Sequence, residues 1–488
     1  MFINTYRNRK LVIFKKTDNS THSLKCSLCF ILLFLLFYAS CSIPGGNQKT
    51  NRISFTVQNT LRIERKNVPI VLTLDQLQKV SADFSLNAYS VVTGQSTREV
   101  MIPAQADDLD YDGVRDQLAF LIDLESEETK EFSILYDPNV KATFYLEVNK
   151  LTRAGIFPEL NVIAALESDL IAYLLKPNGA VISYGKKREE LFSVDSMFQY
   201  ELQNGQQLSP DFRLHFDRNG IALTQRPQAL TIESLDIDSR WIINDLENQV
   251  NFYVRKDEEE LNLYKSIGIS LNDLLNAENT TMVRLTSNKG LIGCGGYALW
   301  NNRENELIPI SNEGDYVRII ANGAIRSIVQ RIIPEWNING ETLKLTSTTF
   351  IYGGNQWIEQ HINLDKAIPQ GYNIVVGIPK NGDAYDVDEN QNLMWSWGTD
   401  SEGAYPLGIA LTYPKTLSES QIDADPDMLS MILHPDEEGH IKYRTLAIWE
   451  GGIMGIETES KFIQHLAVMT SKIDIQPIIK FLPLDDKK

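Results

Sequence analysis

The chain has 488 residues, of which 43% are hydrophobic and 23% are charged, so its composition is that of a folded globular protein and excludes wholesale disorder. Its formal net charge is −18, which excludes a surface that binds nucleic acid through its overall charge. Only four cysteines are present, and three of them lie within the first 41 residues, so disulfide bonds play no part in the predicted fold.

The first 40 residues have the pattern of a secretory signal peptide. A basic stretch precedes an apolar run at 26–40, which is shorter than the roughly 20 residues of a transmembrane helix. Ala39 and Ser40 stand directly before Cys41, as in the cleavage site of bacterial lipoproteins. We therefore predict a signal peptide over 1–40, an acylated Cys41 and a tether over 41–51. The alternative is an ordinary signal peptide followed by an incidental cysteine.

An acylated Cys41 would anchor the protein in the outer membrane. No acidic run, which would resemble a signal for export to the cell surface, follows this cysteine. We therefore expect the periplasmic face of the outer membrane rather than the cell surface.

Short segments of alternating hydrophobicity follow the tether. Ile53–Val57, Leu118–Leu124 and Phe132–Tyr136 alternate with a period of two residues, which is typical of half-buried strands. A short helix is predicted over Leu74–Val80. The sequence therefore predicts a small antiparallel β-sandwich over 52–140.

An acidic loop interrupts this small domain. Asp108, Asp110, Asp112 and Asp116, with Gly113 between them, match the first nine positions of a calcium-binding EF-hand loop. The bidentate glutamate of that motif is missing at the twelfth position, and a strand follows instead of a helix. The loop therefore predicts either a Ca²⁺ site made by these four carboxylates or an acidic hairpin turn.

Residues 150–485 are again rich in predicted strands. Lys176-Pro177-Asn178-Gly179 separates two apolar runs and predicts a hairpin turn. Long alternating segments at 324–333 and 343–352 continue the pattern, and helices are predicted over 256–276 and 460–471. Because strands dominate without βαβ alternation, we predict a large domain of two sheets packed face to face.

All seven tryptophans lie in the large domain, and three are candidates for binding a sugar. Sugars expose C–H faces that stack on aromatic rings. Trp395 and Trp397 are two residues apart, so on a strand they share one face. We predict that they form a platform for a glycan together with Trp357, and the alternative for each tryptophan is core packing.

Two groups of residues are candidates for catalysis of glycan cleavage. A polysaccharide lyase needs a base and a group that neutralises the uronate carboxylate. His361 with Arg326 has the right chemistry, as does His440 with Tyr443 as base and acid. A hydrolase needs two carboxylates about 5–10 Å apart. Each histidine has the alternative role of a structural residue, and the candidate carboxylates are Glu167, Asp169, Glu359 and Asp400.

Several short motifs are distributed over both domains. They are Glu167-Ser168-Asp169, Tyr184-Gly185-Lys186, the acidic loop at 108–116, the run at 323–329, Trp357-Ile358-Glu359, Trp397-Gly398 and the run at 407–411. Together they resemble DUF4861, a domain-of-unknown-function family of bacterial lipoproteins commonly encoded in polysaccharide-utilisation loci. The resemblance extends over residues 50–470. It implies an immunoglobulin-like β-sandwich followed by a galactose-mutarotase-like β-supersandwich, a scaffold of many polysaccharide lyases, glycoside hydrolases and some non-catalytic sugar binders.

The sequence therefore predicts an all-β envelope lipoprotein whose partner is a polysaccharide or oligosaccharide. We expect it to process that glycan as a lyase or a glycoside hydrolase. The alternative is a non-catalytic glycan-binding lipoprotein of a polysaccharide-utilisation system.

Overall fold

A computed structural model describes residues 51–139 except 95–97, residues 150–187 except 158–161, and residues 291–483 except 311–314, 383, 400–405, 423 and 454. It also describes residues 189, 191 and 285 and the backbone of six short strands between 215 and 284. The predicted signal peptide, Cys41 and Asp400 lie outside the described residues. Within the described part of the chain, no helix is long and apolar enough to cross a membrane.

The described chain begins with seven strands and one helix. They are β1 (Asn51–Gln58), β2 (Arg65–Thr73), α1 (Leu74–Val80), β3 (Tyr89–Thr93), β4 (Val100–Ile102), β5 (Ala104–Asp107), β6 (Gln117–Leu124) and β7 (Thr129–Tyr136). Ten strands follow: β8 (Thr152–Phe157), β9 (Val162–Ser168), β10 (Ile171–Leu175), β11 (Val181–Lys186), β12 (His215–Asp217), β13 (Gly220–Ala222), β14 (Arg240–Asp245), β15 (Val250–Arg255), β16 (Leu263–Lys265) and β17 (Met282–Arg284).

The rest of the described chain consists of long strands, one helix and a final short strand. They are β18 (Tyr297–Asn301), β19 (Glu306–Ile308), β20 (Tyr316–Asn322), β21 (Arg326–Ile338), β22 (Glu341–Tyr352), β23 (Trp357–Leu364), β24 (Tyr372–Pro379), β25 (Ala384–Asp388), β26 (Leu393–Gly398), β27 (Leu407–Thr412), β28 (Ser418–Ile422), β29 (Met428–Leu433), β30 (His440–Trp449), α2 (Glu459–Asp474) and β31 (Ile478–Phe481).

A small β-sandwich is built from two antiparallel sheets. One sheet has the order β31-β1-β7-β3-β4 and the other has the order β2-β6-β5. The alternation of β1 explains the packing, because Ile53, Phe55 and Val57 all point into the core and are fully buried. Helix α1 confirms the predicted helix over 74–80, and it begins at a capping box made by Thr73 and Gln76.

A large β-sandwich contains three sheets. An eight-stranded sheet has the order β20-β21-β22-β23-β30-β27-β26-β25, and two five-stranded sheets have the orders β17-β11-β10-β9-β8 and β19-β18-β24-β29-β28. One continuous hydrophobic core contains side chains from all three sheets. The predicted all-β class and the two successive sandwiches are therefore confirmed.

The outer face of the eight-stranded sheet is covered from two sides. Helix α2 packs on β26 and β27 through Phe462 and Leu466. The small sandwich packs on β21 and β22, where Val71 and Leu121 contact the cluster of Ile328, Phe350 and Tyr352. The central strands β23 and β30 lie between these two coverings.

Helix α2 and strand β31 connect the two sandwiches. Strand β31 falls within the range 150–485 predicted for the large domain, but it pairs with β1 in the small sandwich. Arg65 of the small sandwich is buried and donates hydrogen bonds to the carbonyls of Lys472 and Ile475 at the carboxyl end of α2. Residues 51–488 accordingly form one compact unit.

Of the two predicted helices in the large domain, one is confirmed and one is wrong. The segment predicted as helix over 460–471 lies within α2. The described part of the segment predicted as helix over 256–276 is Leu263–Lys265, which forms β16 and pairs with β15 at Phe252–Val254, so the prediction is wrong there. The other residues of this segment lie outside the described ones. The apolar spacing in this segment resembles a helix, but pairing with a neighbouring strand determines the backbone conformation.

Arg326 forms the buried centre of the junction between the sandwiches. Its Nε donates to Oδ2 of Asp107 at 2.7 Å, and its other nitrogens donate to Gln117 and to the Tyr352 hydroxyl. Gln105 also bonds the backbone of Arg326, through its Nε2 to the carbonyl oxygen and through its Oε1 from the amide. Arg326 and Asp107 are almost completely buried, so neither charge has water as an alternative partner.

We expect Arg326→Met to lower the free energy of unfolding by about 3–5 kcal/mol, because it leaves the buried carboxylate of Asp107 without its cation. Urea denaturation of the protein from Ser42 onward would measure the change. Arg62→Ala is the matched control, since Arg62 and Glu127 form an exposed pair, and it should change stability by less than about 1 kcal/mol. Equal effects of the two variants would contradict this account of the junction.

Candidate functional site

A cleft of about 700 Å³ lies on the outer face of the eight-stranded sheet, between the small sandwich and α2. Its floor is formed by Tyr352, Trp357, Glu359, Arg444 and Leu446 of the central strands. One wall is the segment 64–71 of the small sandwich. The other wall includes His465, Val468, Met469, Lys472 and Ile473 of α2.

Four side chains on β23 and β30 form a connected group, which we call the Glu359 cluster. Trp357, Glu359 and Arg444 line the cleft floor, and His361 is hydrogen-bonded to Glu359. Glu359 Oε1 accepts a hydrogen bond from His361 Nε2 at 2.6 Å, and Oε2 accepts from Nε and Nη2 of Arg444 at 2.6 Å. The Arg444 guanidinium lies 5.2 Å from the centre of the Trp357 ring. Strand register explains the contacts, because Glu359 pairs directly with Arg444 and the alternate residues of β23 share one face.

The charges of the cluster are set by its contacts. Burial would raise the pKa of Glu359, but the hydrogen bond from His361 and the positive charge of Arg444 outweigh it and lower this pKa to about 2. Glu359 is therefore a carboxylate at neutral pH and accepts rather than donates hydrogen bonds. Across the cleft, burial and the positive charge of Lys472 lower the pKa of His465, so this wall presents a neutral imidazole.

The structure brings together three of the sequence-predicted site residues. His361, Glu359 and Trp357 belong to one cluster, with exposed side-chain fractions of 22% for His361 and 16% for Glu359. Of the predicted carboxylates, Asp169 also lines the cleft. Glu167 is instead buried and ion-paired with Lys186.

The pairing of His361 with Arg326 is wrong. Arg326 is buried in the junction, where Asp107, Gln117 and Tyr352 accept its hydrogen bonds. A uronate carboxylate cannot reach it without separating the two sandwiches. Sequence spacing did not show this because Asp107 and Gln117 lie more than 200 residues away in the chain.

The pairing of His440 with Tyr443 is also wrong. Both lie on β30, and residues three apart on a strand point to opposite faces. Tyr443 lies in the core, where its hydroxyl donates to Gln360 Oε1 at 2.7 Å and burial raises its pKa well above the usual range. His440 lies on the surface near Asp436 and Glu438.

The predicted platform of Trp395 and Trp397 is covered. The two side chains share one face, as their spacing requires, but that face packs against α2. The Phe462 ring lies 5.3 Å from the ring of Trp397 and 6.4 Å from that of Trp395. Trp397 is only 8% exposed. Among the three predicted tryptophans, Trp357 is therefore the one on the cleft floor.

Arg444 is the site residue that sequence reasoning missed. It binds Glu359, the partner of His361, whereas the sequence-based prediction paired His361 with Arg326. The available signal was the polar alternation of β30, in which His440, Lys442 and Arg444 alternate with the buried residues Ile441 and Tyr443. Its pairing with Glu359 depends on the register of strands 85 residues apart, which short-range patterns do not contain.

The acidic loop brings three of its four carboxylates together. Ligand atoms of Asp108, Asp110 and Asp116 lie within 4.8 Å of one another, whereas Asp112 is not part of the group. Burial, together with the charges of Asp110 and Asp108, raises the pKa of Asp116, although the amide of Leu109 opposes this. Three carboxylates fit a calcium ion that takes its remaining ligands from water or backbone carbonyls. A calcium site therefore stays a prediction.

The same loop also contacts the large sandwich. The Tyr111 hydroxyl donates to the carbonyl of Ile319 at 2.9 Å, and the guanidinium of Arg318 lies 4.3 Å from the centre of the Tyr111 ring. Its position beside β20 gives the loop a structural role whether or not it binds an ion.

Comparison with protein families supports the resemblance seen in the motifs. The family model for the domain of unknown function DUF4861 matches residues 57–156 and 291–478, which together are more than half of the chain. The chain belongs to this family. The matched ranges include β2 to β7 of the small sandwich, the acidic loop, the eight-stranded sheet and every member of the Glu359 cluster.

Curated proteins gave no match. Among solved structures, the chain is similar to an alpha-mannosidase from Enterococcus faecalis, with 10% identity, a TM-score of 0.39 and coverage of 90% of this chain and 46% of the other. The chain is also similar to a protein of glycosyl hydrolase family 38 from the same organism, with 9% identity, a TM-score of 0.39 and coverage of 91% of this chain and 48% of the other. For heparinase III the identity is 8%, the TM-score is 0.21, and the coverage is 30% of this chain and 22% of the other. The chain spans about half the length of the first two proteins.

We expect Glu359→Gln to flatten the dependence of stability on pH. The pKa of Glu359 is about 2 in the folded protein and its ordinary value is 4.5, so its ionisation stabilises the fold fully above about pH 4.5. This stabilisation, about 3 kcal/mol at most, is lost as the pH falls toward 2. The free energies of unfolding of wild type and variant should therefore converge as the pH falls from 5 to 2.

Glu419→Gln is the matched control for this pH experiment. Glu419 also contacts a histidine, His434, but the pair is about half exposed, so water screens its charges. Its stability profile should follow that of the wild type. A constant difference between wild type and Glu359→Gln from pH 5 to 2 would contradict the assigned ionisation.

We expect calcium at about 5 mM to raise the melting temperature by about 2–4 °C relative to EDTA, because a ligand of the folded state stabilises it by mass action. Asp110→Asn should abolish the increase, since Asp110 belongs to the carboxylate group. Asp112→Asn is the control and should keep it. Identical melting temperatures of the wild type in calcium and EDTA would leave the loop as an acidic hairpin alone.

Proposed function

We propose that the cleft binds a segment of polysaccharide or oligosaccharide and that the protein cleaves it by β-elimination. The observation that supports this best is the Glu359 cluster, in which Trp357, Arg444 and Glu359 lie on the floor of a 700 Å³ cleft and His361 is hydrogen-bonded to Glu359. An aromatic ring with a few convergent polar groups is the usual composition of a sugar site.

His361 is the proposed base. In the neutral imidazole, Nε2 of His361 donates to Glu359 and Nδ1 carries the lone pair that can accept a proton. In the proposed reaction Nδ1 takes the proton from C5 of a uronate, the electron pair forms the C4–C5 double bond, and the C4–O bond breaks. The leaving oxygen then takes the proton from the imidazolium, so His361 returns to its neutral state.

Arg444 is the proposed partner of the uronate carboxylate. Proton removal from C5 places negative charge on that carboxylate, and a nearby guanidinium stabilises it. Arg444 retains 27% exposure of its side chain on the cleft floor, with Trp357 beside it as the ring on which the sugar stacks. In this role Arg444 replaces Arg326.

Two alternatives use the same cleft. In hydrolysis Glu359 would act as the base or nucleophile, because its low pKa excludes it as the acid, and Asp169 is the other predicted carboxylate there. Non-catalytic binding is favoured by the pairing of both Glu359 oxygens within the protein. On any of these readings the protein would be an outer-membrane lipoprotein anchored through Cys41 and facing the periplasm, with a galactose-mutarotase-like large domain.

The test is incubation of the protein from Ser42 onward with alginate, polygalacturonate and chondroitin sulfate as uronate polymers, and with galactomannan and xylan as neutral ones. We expect absorbance near 232 nm, which reports the unsaturated uronate, to rise with at least one uronate polymer. His361→Ala and Arg444→Ala should each lower that rate about 100-fold or more, and His434→Ala should not change it.

The other outcomes separate the alternatives. New reducing ends without absorbance would indicate hydrolysis and direct attention to Glu359 and Asp169. Retention of one polymer in an affinity gel without either signal would leave a binding protein. Absence of cleavage and of retention for all five polymers would contradict the proposed function.

A further inference from the structure

The turn between β22 and β23 precedes Trp357 directly and lines the cleft at Gly354, Asn355 and Gln356. Three side chains from the neighbouring hairpin of β9 and β10 bind it at successive residues. Asp169 Oδ1 accepts from the amide of Gly354, the Ser168 hydroxyl donates to the carbonyl of Asn355, and the Tyr173 hydroxyl donates to the carbonyl of Gln356. Each of these contacts is 2.7 Å long.

The hairpin side of these contacts is itself fixed by a buried ion pair. Lys186 Nζ donates to Glu167 Oε2 and to the carbonyl of Ser168, both at 2.5 Å. The exposed side-chain fractions are 0% for Lys186 and 3% for Glu167. Because both charges are desolvated and paired, movement of this segment would leave a buried charge without its partner, which is strongly unfavourable.

The small sandwich fixes the other side of the turn. The Asn355 side chain donates to the carbonyl of Asn67 at 3.2 Å. Gly354 has a φ of +66°, and a Cβ at this position would lie 2.1 Å from the Asn67 side chain. The turn is therefore confined between β2 and the hairpin, and its conformation determines how the chain enters β23 at Trp357.

We propose that Ser168, Asp169 and Tyr173 are positioning residues that set the orientation of the Trp357 ring on the cleft floor through the turn at 353–356. This inference rests on the proposed function in assigning a glycan to the cleft. It gives a further role to the motif Glu167-Ser168-Asp169. The Ser168 hydroxyl accepts from the amides of Leu170 and Ile171 within its own hairpin, and it also reaches the turn at 353–356, as Asp169 does.

The first test follows the turn itself and needs no ligand. Hydrogen exchange of the peptide covering 353–358 should become at least about tenfold faster in Asp169→Ala and Ser168→Ala, because each loses a hydrogen bond to the turn. Asp169→Asn keeps an acceptor oxygen and should exchange like the wild type. Asp388→Ala is the matched control, since Asp388 caps the separate turn between β25 and β26.

The second test uses binding of the panel polymer that the wild-type protein binds most tightly. Asp169→Ala and Trp357→Ala should each weaken binding about tenfold, and Asp169→Asn and Asp388→Ala by less than about threefold. In the Trp357→Ala background, Asp169→Ala should have almost no further effect, because an indirect contribution through Trp357 disappears with that ring. If the double variant loses as much binding as the two single losses multiplied together, the inference is overturned and Asp169 contacts the glycan directly.

The outcomes distinguish failure of this inference from failure of the proposed function. If Trp357→Ala weakens binding and Asp169→Ala does not, the cleft binds glycan and the positioning role is wrong. If the exchange of 353–358 is unchanged in Asp169→Ala, the positioning role is wrong regardless of binding. If no polymer binds the wild type, the proposed function fails, and with it the glycan that this inference assigns.

Discussion

The contact between Arg326 and Asp107 is the interaction on which the geometry of this protein depends most. Both charges are almost completely buried, and their hydrogen bonds join the small sandwich to β21 of the large one. The cleft exists because the small sandwich packs on one side of the eight-stranded sheet and α2 packs on the other. A change at the junction therefore alters the width of the cleft as well as stability, and Tyr352 links the two by contacting both Arg326 and Trp357.

Local patterns predicted most of the fold and part of the site. The period-two alternation around Ile53 and the hydrophobic run of α2 depend on neighbours in sequence, and both predictions are confirmed. The failures depend on distant pairings: Arg444 reaches Glu359 through the register of β23 with β30, and α2 covers Trp395 and Trp397. The spacing of the two tryptophans correctly placed them on one face but does not tell which faces are covered.

The burial of polar residues distinguishes structural sites from the candidate functional site in this structure. Tyr443 and Arg326 have the chemistry of catalytic groups, but each is satisfied by partners within the protein and away from the cleft. The Glu359 cluster is also internally paired, yet it retains exposed area on the cleft floor. Exposure combined with a charge network, rather than residue type, therefore distinguishes a candidate site from a structural one.

Strand β31 pairs with β1 in the small sandwich. During synthesis β1 is made first among the described strands, whereas residues 478–481 are made only after the whole large sandwich. Until then one edge of β1 has unpaired backbone groups, which in other proteins promote association with a second chain. The small sandwich is thus not an independent amino-terminal folding unit. Its completion requires a contact of high sequence separation, which slows folding and leaves the edge of β1 exposed to association until the chain is finished.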